Sequence, residues 1–237
     1  VPFDHNDHYH RLLLRRLPAK AATALDVGCG TGRFARRLAG LGVDVDAIDP
    51  SAEAIRAARE LSDRELSARG VRPPRYRQAD VTREELPRGH YDYVSCLASI
   101  HHMPFETVAR LRDALAPGGV LVILGCYPER TPADFAWSLA AVPANAVARI
   151  AVAAAERTRR APAPAAERAA VERAPAPAAE RAVADPTAVR APVKAPTMPL
   201  RQIRQEAVAL LPGCTIRRLL FWRYLLVYRA PEPAAAR

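Results

Sequence analysis

Residues 24–32, Ala-Leu-Asp-Val-Gly-Cys-Gly-Thr-Gly, constrain the fold more than any other stretch of this 237-residue chain. A short apolar run, Ala24 to Val27, ends in glycines at 28, 30 and 32, and a helical pattern, Arg33 to Leu41, follows at once. That order predicts a buried strand, a sharp turn and a helix. Glycine suits the turn because its backbone adopts angles that other residues resist, and because a side chain there would fill the space a ligand must enter. Open α/β sheets bind their cofactors in that place, outside the carboxyl end of a parallel strand.

The glycine spacing discriminates between cofactors. A dinucleotide fingerprint, G-x-G-x-x-G, would carry its third glycine where this chain has Arg33. The chain instead reads D-x-G-x-G-x-G from Asp26, which disfavours a nicotinamide oxidoreductase. Downstream, the alternating run Val43 to Asp49 predicts a second strand, ending in an acid seventeen residues after Gly32. A carboxylate at that tip can accept both hydroxyls of an adenosine ribose, although an acid there also serves as a plain helix-start residue. Pro50-Ser51 opens a long helix to about Arg69, with Ser51 placed to cap it. Arg75 to Ala79 reads as a third strand followed by Asp80, and a turn or helix start follows over 82–86. Tyr91 to Leu97 reads as a fourth strand, and Phe105 to Ala116 as a helix behind Pro104. Pro117-Gly118-Gly119 predicts a turn, and Val120 to Leu124 a fifth, wholly apolar strand.

These residues together resemble the class I S-adenosylmethionine-dependent methyltransferases: the D-x-G-x-G-x-G loop, Asp49, Asp80, the Tyr-Asp-x-Val strand, the His101-His102 pair and the L-x-P-G-G-x-L turn. The likeness covers residues 1 to about 127. It implies an α/β, Rossmann-like sheet of seven mostly parallel strands, with helices on both faces and an antiparallel C-terminal pair. Cys214 to Trp222 and Arg223 to Tyr228 fit that pair, after a helix over Arg201 to Leu211. No Gly, Asn or Asp marks the turn between them. The implied cofactor is S-adenosyl-L-methionine, leaving as S-adenosyl-L-homocysteine. Its implied contacts are Asp26, Gly28, Cys29, Gly30 and Gly32 in the loop, then Asp49, Pro50 and Ser51, then Asp80 and Val81, and finally Leu97. In the family an acid at the place of Asp80 bonds the adenine amino group, and the next backbone N–H bonds a ring nitrogen.

The rest of the chain is read as appendage. Asn6 to Leu17 forms a helix with an apolar stripe of Tyr9, Leu12, Leu13 and Leu17; the resemblance makes it a lid over the cofactor loop. The expected division is a cofactor-binding core over 1–127, a helical substrate cover over 128–159, a repeat and linker over 160–199, and a helix and strand pair over 200–237. Arg160 to Glu172 and Arg173 to Asp185 are near-identical thirteen-residue copies, too poor in large apolar side chains to build a core. Phe135, Trp137, Leu139 and Val142 in the cover suit a small, partly apolar acceptor.

The net charge of +10 raises the question of nucleic acid, but the arginines are dispersed in short pairs and bring no stripe. The four cysteines lie far apart without a C-x-x-C pair, which predicts buried thiols in a reducing cytoplasm. No apolar run is long enough to predict a membrane span, and the first residues lack the regions of a signal peptide.

The expected reaction is methyl transfer to the oxygen or nitrogen of a small molecule, without metal. A catalyst of that kind places a nucleophile in line and removes a proton. His101 or His102, at the carboxyl edge after the fourth strand, is the expected base, with helix-start packing the plain alternative. His5, His8, Tyr9 and His10 on the first helix are brought toward the same place if that helix is a lid. Four other chemistries are rejected. Leu97 to Met103 offers no carboxylate for a catechol-type metal, and no D/N-P-P-Y motif follows the fourth strand. Cys96 sits inside an apolar strand, and the spacing of His5, His8 and His10 does not make a metal site. An RNA, tRNA or protein acceptor, and a non-catalytic cofactor-binding subunit, are the competing readings.

Overall fold

The computed structural model describes residues 5–130, 195–220 and 222–232. Of the expected cover over 128–159, residues 131–159 lie outside the described residues, as does the tandem repeat. One seven-stranded sheet organises what is described. Its strands are β1 (Thr23–Val27), β2 (Asp44–Asp49), β3 (Arg75–Gln78), β4 (Tyr91–Leu97), β5 (Leu115–Cys126), β6 (Thr215–Arg218) and β7 (Arg223–Arg229), in the order β3-β2-β1-β4-β5-β7-β6. The first five are parallel, while β7 runs antiparallel to both β5 and β6. Among the described residues the α-helices are α1 (His5–Leu14), α2 (Arg33–Ala39), α3 (Ala52–Leu66), α4 (Thr107–Asp113) and α5 (Leu200–Leu210).

Strand alternation divides the core in two. Leu25, Val94, Leu121 and Ile123 face one cluster, where Val108 and Leu111 of α4 and Ile203 and Ala207 of α5 cover them. Ala24, Tyr93, Val122 and Leu124 face the other, where Leu13 of α1, Phe34 and Leu38 of α2, and Ile55 and Ala58 of α3 close over them. A strand buried on both faces must be apolar throughout, which is why 120–124 carries no polar residue.

Several element bounds differ from expectation. β5 begins at Leu115 and passes through Pro117-Gly118-Gly119, because Leu115 already pairs with Tyr91 and the register then slips. The helix expected from Phe105 starts at Thr107, after a separate 3₁₀ turn at Ile100–His102. No helix forms over 82–86; a single turn closes there, with Arg83 and Glu84 N–H both donating to the Asp80 carbonyl. The unmarked turn between β6 and β7 is made by Trp222, which adopts φ 57°, while the Leu219 N–H donates to the Arg223 carbonyl at 2.8 Å. Its indole Nε1 donates to Glu129 Oε1 at 2.5 Å. Residues 196–198 lie beside His101, and Met198 packs on the core ahead of α5.

The amino ends of the strands have their own clasp. Asp92 Oδ2, at the start of β4, accepts from Ala22 N at 2.8 Å, Thr23 N at 3.0 Å and Thr23 Oγ1 at 3.1 Å. One half-buried carboxylate thus registers β1 against β4 at the edge opposite the glycine loop. Asp92→Ala is expected to cost about 2 kcal/mol in chemical denaturation, the scale of hydrogen bonds to a charged group, and to leave ligand affinity at the carboxyl edge unchanged.

Candidate functional site at the carboxyl edge of the sheet

Parallel register brings the candidate residues together. Val27 pairs with Ile48 on one side and Cys96 on the other, and Asp49 pairs with Gln78. The tips of β1, β2, β3 and β4 therefore end side by side. The glycine loop folds over them, with Gly28 N–H and Cys29 N–H both donating to the Ile48 carbonyl at 2.8 and 3.1 Å.

The three glycines have different reasons. A Cβ on Gly28 would lie 2.4 Å from Ser99 Cβ, and one on Gly32 would lie 2.3 Å from the Tyr76 hydroxyl oxygen. A Cβ on Gly30 would meet nothing within 4 Å. Packing thus explains Gly28 and Gly32, whereas the open space beside Gly30 is a place where a ligand can approach bare backbone.

Asp49 closes the loop from the neighbouring strand. Its Oδ2 accepts from Gly30 N at 2.9 Å, and its Oδ1 accepts from Ser51 N at 2.9 Å. Ser51 in turn caps α3, its Oγ accepting from Ala54 N at 3.2 Å. Each carboxylate oxygen keeps further acceptor capacity for a ligand hydroxyl. The helix-start role is therefore present, and it leaves the carboxylate able to take a further donor. Pro50 beside it is exposed.

Asp80 stands one strand over, its side chain half exposed. Oδ1 accepts from both the backbone N–H and the hydroxyl of Thr82, at 2.9 and 2.7 Å, and these bonds hold the carboxyl below its ordinary range. Val81 is buried and Leu97 half-buried.

Beyond β4, Ala98 takes φ 51°, an uncommon conformation for a residue with a Cβ. The kink turns Ser99 back under the loop, where its hydroxyl donates to the Val27 carbonyl at 2.9 Å and touches Cys96 Sγ at 3.0 Å. His101 and His102 follow in the 3₁₀ turn, their rings 4.1 Å apart. His101 is half-buried and borders a cavity of about 60 Å³ with Met103, Phe105, Met198 and Tyr224; His102 is exposed.

On the first helix, two of the candidate residues are buried. Tyr9 is buried and donates to the Leu220 carbonyl at 2.9 Å, burial pushing its phenol up to about 12. His10 is buried against Phe34, and His8 is exposed. Tyr9 and His10 are thus core residues of the α1–α2 face. The His5 side chain lies outside the described residues. Cys29, Cys96, Cys126 and Cys214 are all free thiols, and burial pushes the Cys96 thiol up to about 12, which keeps it protonated.

Three contributors escape sequence reasoning. Ser95 pairs with Asp26 across the strands and donates to its Oδ1 at 2.7 Å. Tyr76 reaches from β3 to Ser62 at 2.8 Å and to the Gly32 carbonyl at 3.4 Å. Arg36 donates from Nη1 to the Thr31 carbonyl at 2.6 Å. The exposed–buried–exposed alternation of Arg75-Tyr76-Arg77 is the one sequence signal for the tyrosine.

Asp26 is the electrostatic outlier. Burial pushes its carboxyl up to about 7; Ser95 and the Ala35 N–H oppose the rise, and the Asp49 charge adds to it. A carboxyl raised in the folded state binds its proton more tightly there than in the unfolded chain. The contribution of this one group to stability is therefore full below about pH 4 and is lost as the pH rises to about 7, by at most about 4 kcal/mol. Denaturation of the ligand-free chain at several pH values should show this decline, and Asp26→Asn should flatten it. An unchanged slope would assign the titration elsewhere.

Comparison with known proteins agrees with this geometry. Residues 25–121 match the family described as "Methyltransferase domain". Over 233 residues the chain is 30% identical to the uncharacterized methyltransferase Rv0089 of Mycobacterium tuberculosis, which spans 97% of this chain and 98% of that one. It is also 36% identical to a ubiquinone biosynthesis O-methyltransferase of Xanthomonas euvesicatoria, over 57% of this chain and 54% of that one. Among solved structures, the PH0226 protein of Pyrococcus horikoshii shares the fold, with a TM-score of 0.56 over 94% of this chain and 88% of that chain at 20% identity. The full-length match to a methyltransferase, on a seven-stranded sheet with this loop, means that the chain belongs to the class I S-adenosylmethionine-dependent methyltransferases and is an enzyme of that kind.

Proposed function

We propose that the chain binds S-adenosylmethionine across the tips of β1 to β4 and methylates an oxygen or nitrogen of a small acceptor, without metal. The observation that carries this reading is the open backbone at Gly30, whose N–H lies 2.9 Å from the Asp49 carboxylate. In this reading Asp49 accepts the ribose hydroxyls, Asp80 and the Val81 N–H hold the adenine, and Leu97 lies against it. Asp26, Gly28, Cys29, Gly30 and Gly32 shape the loop, with Pro50 and Ser51 beside the ribose. The bound cofactor supplies an electrophilic methyl group. The chain's share is to fix the acceptor in line and to take its proton.

His101 is the better placed of the two histidines for that proton, because it borders the apolar cavity while His102 faces solvent. Imidazole ordinarily titrates near neutrality, which suits a phenol, an acid or an amine as acceptor. The similarity to an O-methyltransferase over 57% of this chain favours oxygen. No helix among the described residues is long and apolar enough to cross a membrane. A cytoplasmic location belongs to the same reading, on the free thiols.

Two measurements test this. S-adenosylhomocysteine at about a hundred times its dissociation constant should stabilise the chain by about 2.7 kcal/mol, while NAD should not. Asp49→Ala should weaken that binding by about 1.5–3 kcal/mol and also lower stability, since two backbone N–H groups lose their acceptor; Asp49→Asn should lose less of both. A response to NAD alone would overturn the assignment.

The acceptor is sought by offering small phenols, acids and amines with labelled cofactor, and tRNA beside them. With an acceptor in hand, His101→Asn should lower kcat by about 10²–10⁴-fold and flatten the pH profile, at unchanged S-adenosylhomocysteine affinity. The same loss in His102→Asn alone would move the role to that residue, and no loss in either would end it.

A further inference from the structure

Tyr224, near the start of β7, is only 1% exposed, and its ring lies across the bare backbone of its cross-strand partner Gly125. A Cβ on Gly125 would fall 2.1 Å from Tyr224 Cζ and 2.3 Å from its hydroxyl oxygen. That packing asks only for a ring, and phenylalanine would supply one. The hydroxyl needs a reason of its own. Tyr9 and Tyr93 donate to the carbonyls of Leu220 and Leu13, Tyr91 donates to Asp46, and Tyr76 shares a bond with Ser62. Among the described residues the Tyr224 hydroxyl has no such partner; its surroundings are burial and the Cys96 and Cys126 thiols, all of which push the phenol above its ordinary value. It therefore stays protonated and keeps a donor to offer. A buried hydroxyl left unpaired is destabilising, so such a group points to a partner from outside the chain.

The same residue lines the cavity of about 60 Å³ that His101 borders, with Met103, Phe105, Cys126 and Met198 around it. Asp49, Asp80 and the loop glycines do not line it, so it stands apart from the candidate cofactor contacts. Among the described residues that line it there is no Asp, Glu, Lys or Arg. An ionised acid or an ammonium would lose its hydration there without a counter-charge, whereas a neutral hydroxyl meets a donor. Aromatic rings and thioethers pack well against the edge of another ring. A water takes about 30 Å³ of the liquid, so the space admits a hydroxyl and the ring edge that bears it, with the rest of the molecule outside.

We propose that this cavity seats the hydroxyl-bearing edge of an uncharged phenolic acceptor, with the Tyr224 hydroxyl donating to the phenol oxygen. The name acceptor rests on the small-acceptor reading given above; the seat itself does not. Tyr224 then sets specificity, favouring a ring that carries an oxygen over the same ring without one. The uncharged wall disfavours acids and amines.

The test offers p-cresol, toluene, benzoate and benzylamine to the full chain at neutral pH and reads binding by ligand-observed NMR. S-adenosylhomocysteine is present where it binds and absent where it does not, so a failure of the cofactor reading is recorded separately. p-Cresol should bind about five-fold tighter than toluene or better, and benzoate and benzylamine about ten-fold weaker than p-cresol or worse. Tyr224→Phe should weaken p-cresol by about five- to ten-fold, keep toluene within about two-fold, and leave the thermal transition unchanged or higher. Met198→Phe, which fills the cavity, should remove binding of both. p-Cresol should also compete with an acceptor found among the phenols, acids and amines above. The proposal is overturned by p-cresol that does not bind at millimolar concentration or that ignores Tyr224→Phe. It is overturned equally by a lowered thermal transition in that variant, which would assign the hydroxyl to the fold, by preference for a charged probe, by binding that survives Met198→Phe, or by turnover that saturating p-cresol leaves unchanged.

Discussion

The contact on which the carboxyl edge depends is the carboxylate of Asp49 shared between Gly30 N–H and Ser51 N–H. One oxygen fixes a loop that leaves β1; the other fixes the first turn of α3. Without it, two adjacent crossovers of the sheet would present unsatisfied donors at the place where a ligand must find a defined surface. In the function proposed above the same residue also meets the ribose, and there structure and recognition would be coupled at a single side chain. The loop is held at this edge from the neighbouring strand.

Behind that edge the loop is held from a second direction. Tyr76 fills the space that Gly32 vacates and bonds Ser62, while Arg36 spans from Glu65 to the Thr31 carbonyl. These groups lie between α2, α3 and β3, so the two helices and the strand that flank the loop are joined through polar contacts as well as apolar ones. Asp46 continues the pattern lower in the sheet, accepting from Arg75 and from the Tyr91 hydroxyl. The polar side chains of Thr23, Asp26, Asp44, Asp46, Asp92 and Ser95 thus each have a partner on another strand, while Tyr76 and Tyr93 bond a helix or loop instead, so each of these interior polar groups is satisfied.

Local signals in the sequence carried most of this architecture. Glycine spacing, strand-tip acids and apolar runs report the chain's own neighbourhood, and they located β1 to β4 within a residue or two. What they did not carry is pairing across distance. Nothing beside Asp92 in the chain marks it as the acceptor for Ala22 and Thr23, seventy residues away. Nor does the segment around Tyr9 show that its hydroxyl ends on Leu220. The β6–β7 turn failed for a different reason: Trp222 adopts a conformation that turn rules reserve for Gly or Asn, and its contact with Glu129 is again remote. The amphipathic stripe of α1 was legible, but which of its polar residues are covered depends on Phe34 and Leu13 and on the strands beneath.

The kink at Ala98 has an evolutionary corollary. Because it drives the Ser99 β-carbon to the position a methyl group on residue 28 would take, the two sites are mutually exclusive for bulk. Any lineage that keeps this backbone must leave residue 28 bare for as long as residue 99 carries a side chain. Substitution at either is then conditional on the other, across more than seventy residues of chain. Drift in the segment after β4 is throttled by a steric veto lodged in the loop after β1, so these two stretches would evolve as one unit even where neither touches a ligand.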